Sequence, residues 1–481
     1  MRLRIDRGRA IYFAIAITVL LAMAISSAIG RSSTVFLPAA ISLILVLLIP
    51  SNGLHDITVL LKLVAIHLFA ISPVYIVVAN VDFSFGHPPS DWYGWLTRMA
   101  WVNVAALGLF LTAMRLSEGR IVAKQTWVLD TRRFRYTLLA LLGLSGVAQI
   151  MVYRSFGGLS GFVESYEARS DAFQGMGLIF AVSESFPILV VMGYAVAAKR
   201  VKFLRNTWML LALIAVFVLL KFAFGGLRGS RGNIIWATFW AFGMIEIWVR
   251  RVPRAILAGF GAIGILFVFV YGFYKAAGRE VALEAMTGDL GEAAMRTGRG
   301  IDHVIVNDLS RAEIQAYLLY RMENSFGNYA NGRTYVGTLA LVIPRWLWPD
   351  RPESKRKYAT EILYSPEVAA GGFRSSRAYG LGGEALINFG IPGVLLAYAV
   401  FGCLVGLARG FSRSLGAGDP RLLFVPLGAC WFALALMNDS DNLFFFMVKH
   451  GLVPLLLILV SSRRTTQSLR SRYQWANGSA G

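Results

Sequence analysis

Charge is scarce in this chain, and acid is scarcer than base. Only 15% of its 481 residues are charged, 27 acidic against 47 basic, while 56% are hydrophobic. A soluble fold cannot hide that much apolar side chain, which excludes the soluble classes and points to a membrane protein. Cysteine is nearly absent: Cys403 and Cys430 both fall inside apolar segments, which excludes a disulfide framework or a zinc spacing. The five histidines, at positions 55, 67, 87, 303 and 450, show no ligand spacing, so neither a metal nor a cofactor is expected. Internal repeats and low-complexity tracts are missing, and no soluble domain is expected at either end. The formal charge of +20 comes from basic residues set between apolar runs, not from a basic stripe on a polar domain, which argues against nucleic acid.

What the chain does have is long apolar runs. A helix rises about 1.5 Å per residue and the hydrocarbon core is about 30 Å thick, so runs near twenty residues mark spans. Twelve are expected, over 10–29, 34–50, 57–80, 95–114, 136–152, 176–198, 206–224, 232–249, 255–274, 385–408, 421–437 and 442–461. The first resembles a secretory signal, but its length favours a retained anchor. With both termini in the cytoplasm, the inner segments hold 24 Lys and Arg and the short outer loops hold five, the asymmetry that sets orientation. The expected class is an all-α polytopic membrane protein with about twelve transmembrane helices and one large exocytoplasmic loop. Spans one to nine occupy 1–274, the loop 275–384, and spans ten to twelve with a cytoplasmic tail 385–481.

Function is expected at the outer face. Within the loop, Ser310-Arg311-Ala312-Glu313 reads as a capping box opening a helix with Ile314, Tyr317 and Leu318 on one apolar face, suited to lying on the membrane surface. Intramembrane charges such as Lys62, Glu184, Lys221, Glu246 and Lys449 are few and read as structural or interfacial, with Glu184 and Lys449 kept as possible exceptions. Arg228 and Arg231, among three glycines, suit a phosphate seat, since guanidinium forks grip phosphate oxygens and glycine admits close approach; anchoring to lipid headgroups is the alternative. Arg345, Trp346 and Trp348 interleave with prolines over 344–352, where tryptophan suits either a sugar face or the bilayer interface. Arg374 and Arg377 lead to Glu384, a carboxylate placed either for proton transfer or simply at a helix N-terminus. Asp439-Ser440-Asp441 has the Asp-x-Asp form of a divalent-ion site but is too short a match to outweigh a polar turn.

Arg345 with Trp348, Pro349 and Pro352, then Gly383-Glu384 and Asn388-Phe389-Gly390 with Gly393, resemble the C-terminal signature of the Wzy-type O-antigen, or oligosaccharide repeat-unit, polymerases. The local likeness covers roughly residues 340 to 395; the rest matches in topology. Arg351 stands where a lysine is common, and Ala385-Leu386 where an aromatic often follows the glutamate. The resemblance implies a membrane-embedded, GT-C-like glycosyltransferase of the bacterial inner membrane, working at the periplasmic face without a cofactor. Its substrates would be undecaprenyl-diphosphate-linked oligosaccharides, its other partners membrane lipids and a chain-length regulator.

Such transfer needs cations for the leaving diphosphate and a base for the attacking hydroxyl. The expected cations are Arg228, Arg231, Arg345, Arg374 and Arg377, helped by Arg154 and Arg169. The expected base is Glu384, with His303 beside Asp302 second, and Trp346 and Trp348 would stack on sugar. Rival readings are an O-antigen ligase, a flippase for lipid-linked oligosaccharide, and a membrane scaffold without chemistry.

Overall fold

The computed structural model describes residues 34–51, 56–85, 88–165, 176–225, 232–326, 328–341, 343, 347–350, 352, 355–364, 366–370 and 377–465. The chain there is almost wholly helical. Eight helices are long and apolar enough to cross a membrane: Val59–Val78, Trp92–Ser117, Thr131–Ser155, Gly177–Ala198, Ala255–Tyr274, Gly380–Arg413, Pro420–Met437 and Ser440–Ser461. Three further expected spans are shorter helices, Phe36–Leu47, Thr207–Ala223 and Gly232–Trp248. Twelve residues rise only about 18 Å, and the apolar run over 34–50 outlasts its helix. The expected span over 10–29 lies outside the described residues.

One element departs from the all-α expectation. Thr126–Leu129 pairs antiparallel with Ser462–Thr465, Trp127 opposite Arg464, in a two-stranded ribbon that ties the end of the last helix to the segment before Thr131–Ser155. Asp130 secures the junction: its carboxylate caps that helix by accepting from the N–H groups of Arg132 and Arg133, both at 3.1 Å, and pairs with Arg463 at 2.6 Å. The capping bonds, that from the Arg133 N–H first, and the Arg463 charge hold the Asp130 carboxyl below its usual range.

The bundle has two apolar cores. The first gathers Phe69, Met99, Phe110, Leu318, Tyr398 and Phe432; the second gathers Ile188, Met192, Phe217, Trp240, Ile245 and Leu457. The closest helix pair belongs to the first. Gly402, Gly406 and Gly410 form a stripe at every fourth residue of Gly380–Arg413, facing Trp92–Ser117 and the turn after it. A Cβ on Gly402 would come within 2.2 Å of the Phe110 carbonyl oxygen, and one on Gly406 within 2.3 Å of that of Met114. Small residues at this spacing let helix backbones touch in a membrane, where dispersion replaces the hydrophobic drive.

Arg409, on the same helix and 2% exposed, locks that end of the pair. Its guanidinium donates from Nε to Asp56 Oδ1 at 3.0 Å, from a terminal nitrogen to Asp56 Oδ2 at 2.9 Å, and to Glu118 at 2.5 Å. The segments that the charge count assigns to the inner face meet there. Arg413 joins Glu118 at 2.8 Å, and Arg421 pairs with Asp419 while donating to the Gln125 carbonyl.

The opposite end holds the region expected as a loop, and most of it is structured. The helix Arg254–Thr287 runs past its expected end, breaking at Gly278, whose φ of 86° no other residue adopts cheaply. Ala312–Arg321 corrects the surface-helix expectation. Every residue from Ala312 to Leu319 is buried, and Ile314, Ala316, Tyr317, Leu318 and Leu319 all belong to the first core. The capping box does not form either: the Ser310 hydroxyl accepts from the N–H of Ala312, while Glu313 turns away to the Ser84 loop.

Gly380–Arg413 also begins earlier than hydropathy suggests, and Gly390 breaks it with a φ of 66°. The break exposes the carbonyls of Ile387 and Asn388, which accept from the N–H groups of Ala330 at 3.0 Å and Asn331 at 3.1 Å, docking the outer segment onto the helix.

Removing the Arg409 guanidinium leaves Asp56 buried without its main partner. Arg409→Met is therefore expected to cost about 3–5 kcal/mol, and Asp56→Asn added to it should recover part of that loss. Thermal unfolding of the purified protein in detergent measures both, and Gly406→Leu should unfold earlier than wild type in the same assay.

Candidate functional site

Glu384 lies inside its helix, not at the mouth of a loop, and is 3% exposed. Its Oε1 accepts from the hydroxyls of Thr334 at 2.8 Å and Ser440 at 2.7 Å, and its Oε2 from the N–H of Ser440 at 2.6 Å. Asn388, one turn on, donates to Thr334 Oγ1 at 2.7 Å and accepts from the N–H of Gly332 at 2.9 Å. Both carboxylate oxygens are thus engaged by three elements at once, Arg333–Ala340, Gly380–Arg413 and the start of Ser440–Ser461. The arrangement staples the outer segments together, and Glu384 does not line the large cavity described below.

A lysine from the outer segment sits on the Asp-x-Asp turn. Lys355 is buried against it, paired with Asp439 and 3.8 Å from Asp441, over the Tyr379 ring. Asp439 also accepts from the N–H of Tyr379 at 2.9 Å, and the Tyr379 carbonyl accepts from Gln315 at 2.9 Å. Among the described residues no group of three or more His, Cys, Asp or Glu could hold a metal.

The cavity lies where the two cores part, bounded by Gly232–Trp248, Arg254–Thr287 and Ser440–Ser461 below and by residues 303–314 and 377–378 above. Its volume is about 1460 Å³, beyond the roughly 300–1,000 Å³ of a small-molecule site. Its walls differ in character from element to element. Phe239, Phe242, Phe260, Phe267, Val268 and Phe445 make an apolar chamber, whereas Arg299, His303, Arg311, Glu313 and Arg377 gather on the loop side.

These polar groups are held by their own contacts. Arg299 pairs with Asp308 at 2.5 Å, and Arg311 donates to the Met437 carbonyl at 2.8 Å and the Asn307 carbonyl at 3.2 Å. Arg377 stacks over the Phe85 ring at 4.5 Å. His303 Nδ1 is 3.3 Å from the Asn307 amide nitrogen. Glu313 Oε1 accepts from the N–H of Ser84 at 2.7 Å. Burial raises the Glu313 carboxyl above the usual glutamate range, against the pull of the Ser84 bonds and the Arg377 charge. Deeper, Lys449 also lines the cavity and pairs with buried Glu184 at 2.6 Å, with Lys221 and His450 in the same cluster.

Of the residues expected from sequence, Arg377 and His303 come together on this cavity. Glu384 does not line it, nor does Arg154, which is exposed at the end of Thr131–Ser155. Trp348 is exposed, outside the cavity wall. Arg228, Arg231, Arg345, Arg374, Arg169 and Trp346 lie outside the described residues. Arg299, Arg311 and Glu313 were missed. Only Glu313 carried a signal, an acid in a helix whose other residues from Ala312 to Tyr320 are apolar or aromatic except Gln315. Compared with family models, curated proteins and solved structures, the chain matches none.

Each hydrogen bond to a buried carboxylate contributes about 1.5–3 kcal/mol. Thr334→Val and Ser440→Ala are each expected to lower stability by that order, measured by thermal unfolding in detergent, with Thr334→Ser close to wild type.

Proposed function

We propose that this chain is a membrane-embedded glycosyltransferase that polymerises oligosaccharide repeat units carried on undecaprenyl diphosphate. The observation that carries the reading is the cavity, with an apolar chamber on one side and three arginines on the other. A polyprenyl diphosphate has the same division, a hydrocarbon tail joined to a strongly anionic head. The sequence likeness over residues 340–395 to repeat-unit polymerases supports the same chemistry. The excess of Lys and Arg in alternate segments supports twelve spans with both termini cytoplasmic and the cavity's polar side toward the periplasm of the bacterial inner membrane.

In this reading the apolar chamber takes the prenyl tail and Arg299, Arg311 and Arg377 face the diphosphate. The anomeric carbon of the donor glycan passes to a hydroxyl of the incoming repeat unit, and undecaprenyl diphosphate leaves. Charge grows on the leaving phosphate as its bond to carbon breaks, and fixed guanidiniums stabilise it without reorganising. Arg228, Arg231, Arg345 and Arg374 are additional candidates for the same task, and Trp346 and Trp348 for the sugar.

A flippase is the rival with an observation behind it, since Glu184, Lys221 and Lys449 set ionisable groups among the apolar helices, with His450 beside them. A ligase would share the donor but transfer to another acceptor. Purified protein in liposomes, given lipid-linked repeat units extracted from cells lacking this chain, should make a ladder of longer chains. Flipping without a ladder would contradict the polymerase reading, and cells lacking this chain should keep single-repeat capping of lipopolysaccharide, whereas no capping at all would make it a ligase. In the same assay Arg377→Ala should lower the rate about 10- to 150-fold, the equivalent of one charge-assisted bond.

A further inference from the structure

Glu313 has a feature that its capping and packing do not use. It is 4% exposed, and its Oε1 is engaged by Ser84, while its Oε2 has no hydrogen-bond partner among the described residues. The residue nevertheless lines the cavity, on the wall that also carries Arg311, His303 and Arg377. An unbonded buried carboxylate oxygen is costly, and a fold that only needed packing would place an apolar side chain on a helix buried all round. Glu384 offers the opposite case, since both its oxygens are engaged and it stands off the cavity.

We infer that Glu313 is the proton acceptor for the attacking sugar hydroxyl, an assignment that rests on the polymerase reading. The hydroxyl proton passes to Oε2 as the hydroxyl oxygen bonds to the anomeric carbon of the donor. The bond from that carbon to the phosphate oxygen breaks, and its electron pair leaves with undecaprenyl diphosphate. The proton then departs to water or to the released phosphate, restoring the carboxylate. The Ser84 N–H fixes the carboxylate through Oε1 and leaves Oε2 without a hydrogen bond among the described residues. Arg377 sits near enough to the acid to favour its charged form, against the larger effect of burial.

The other titratable and charged groups around the acid are Arg299, His303 and Asp308 beside the same cavity, with Arg311 and Tyr317 on its own helix; Asp82, in the Ser84 turn, is exposed. Burial keeps the carboxyl above the ordinary glutamate range. A base of higher pKa takes a proton more readily, and the rate is present at pH above that value and lost as pH falls through it.

The test uses the full chain in liposomes with lipid-linked repeat units extracted from cells lacking it. Glu313→Gln should lower the ladder-forming rate at saturating substrate about 10²–10⁴-fold, with little change in half-saturating concentration. Formate should restore part of the rate to Glu313→Ala, a rescue that a packing defect does not show. Should both variants fail to fold, the wild-type profile decides. A rate that declines well above about pH 4.3, the free glutamate value, supports the assignment, and one flat down to that value overturns it. A ladder from Glu313→Gln at the wild-type rate also overturns it while leaving the polymerase standing, as does a loss that formate never restores. No ladder from wild type overturns the polymerase reading itself, and the assignment with it.

Discussion

The contact between Trp92–Ser117 and Gly380–Arg413 is the frame from which the polar chemistry hangs. Gly402, Gly406 and Gly410 let the backbones touch, and Arg409 clamps that end to Asp56 and Glu118. At the other end the same helix supplies Gly380, Gly382 and Gly383, which crowd Gln315, and Glu384, which holds Ser440 and Thr334. Because Ala312–Arg321 packs against both helices, its register follows from theirs. Arg311 and Glu313 therefore reach the cavity through contacts made well away from it.

A second constraint shapes the cavity. Charge inside a bilayer is costly unless paired or set in a water-accessible space, so the arginines collect on the loop side and the chamber below is lined by aromatic and aliphatic residues. Among the described residues Lys449 is paired with Glu184 inside the helices, and Lys355 of the outer segment with Asp439. Lys355 shows why an Asp-x-Asp pattern is a weak guide to metal. The two carboxylates have a tethered cation from the same chain, which competes with any ion for their lone pairs.

Hydropathy read over twenty-residue windows found the long helices, because burial in lipid demands long apolar runs and nothing else in the chain resembles them. It overran at 34–50, where apolar residues continue past Leu47, and underran at 385, where glycines that score poorly already form helix. The ribbon between 126–129 and 462–465 joins segments too far apart for any local pattern to link. The stripe at 402, 406 and 410 was present in the sequence as three glycines at every fourth position and passed unread. Ser310-Arg311-Ala312-Glu313 misled because the spacing of a capping box carries no information about Ser84, which outcompetes the helix end for the carboxylate. The cavity itself was invisible, since Arg299, Arg311, Glu313 and Arg377 are brought together only by tertiary packing.

Labelling with a photoreactive undecaprenyl diphosphate in liposomes tests the central claim most directly. The account predicts cross-links on the chamber walls within 232–242, 257–271 and 442–449, displaced by unlabelled undecaprenyl diphosphate. Labelling spread over the outward lipid-facing surfaces of the helices, with none of those segments enriched and no displacement, would contradict it.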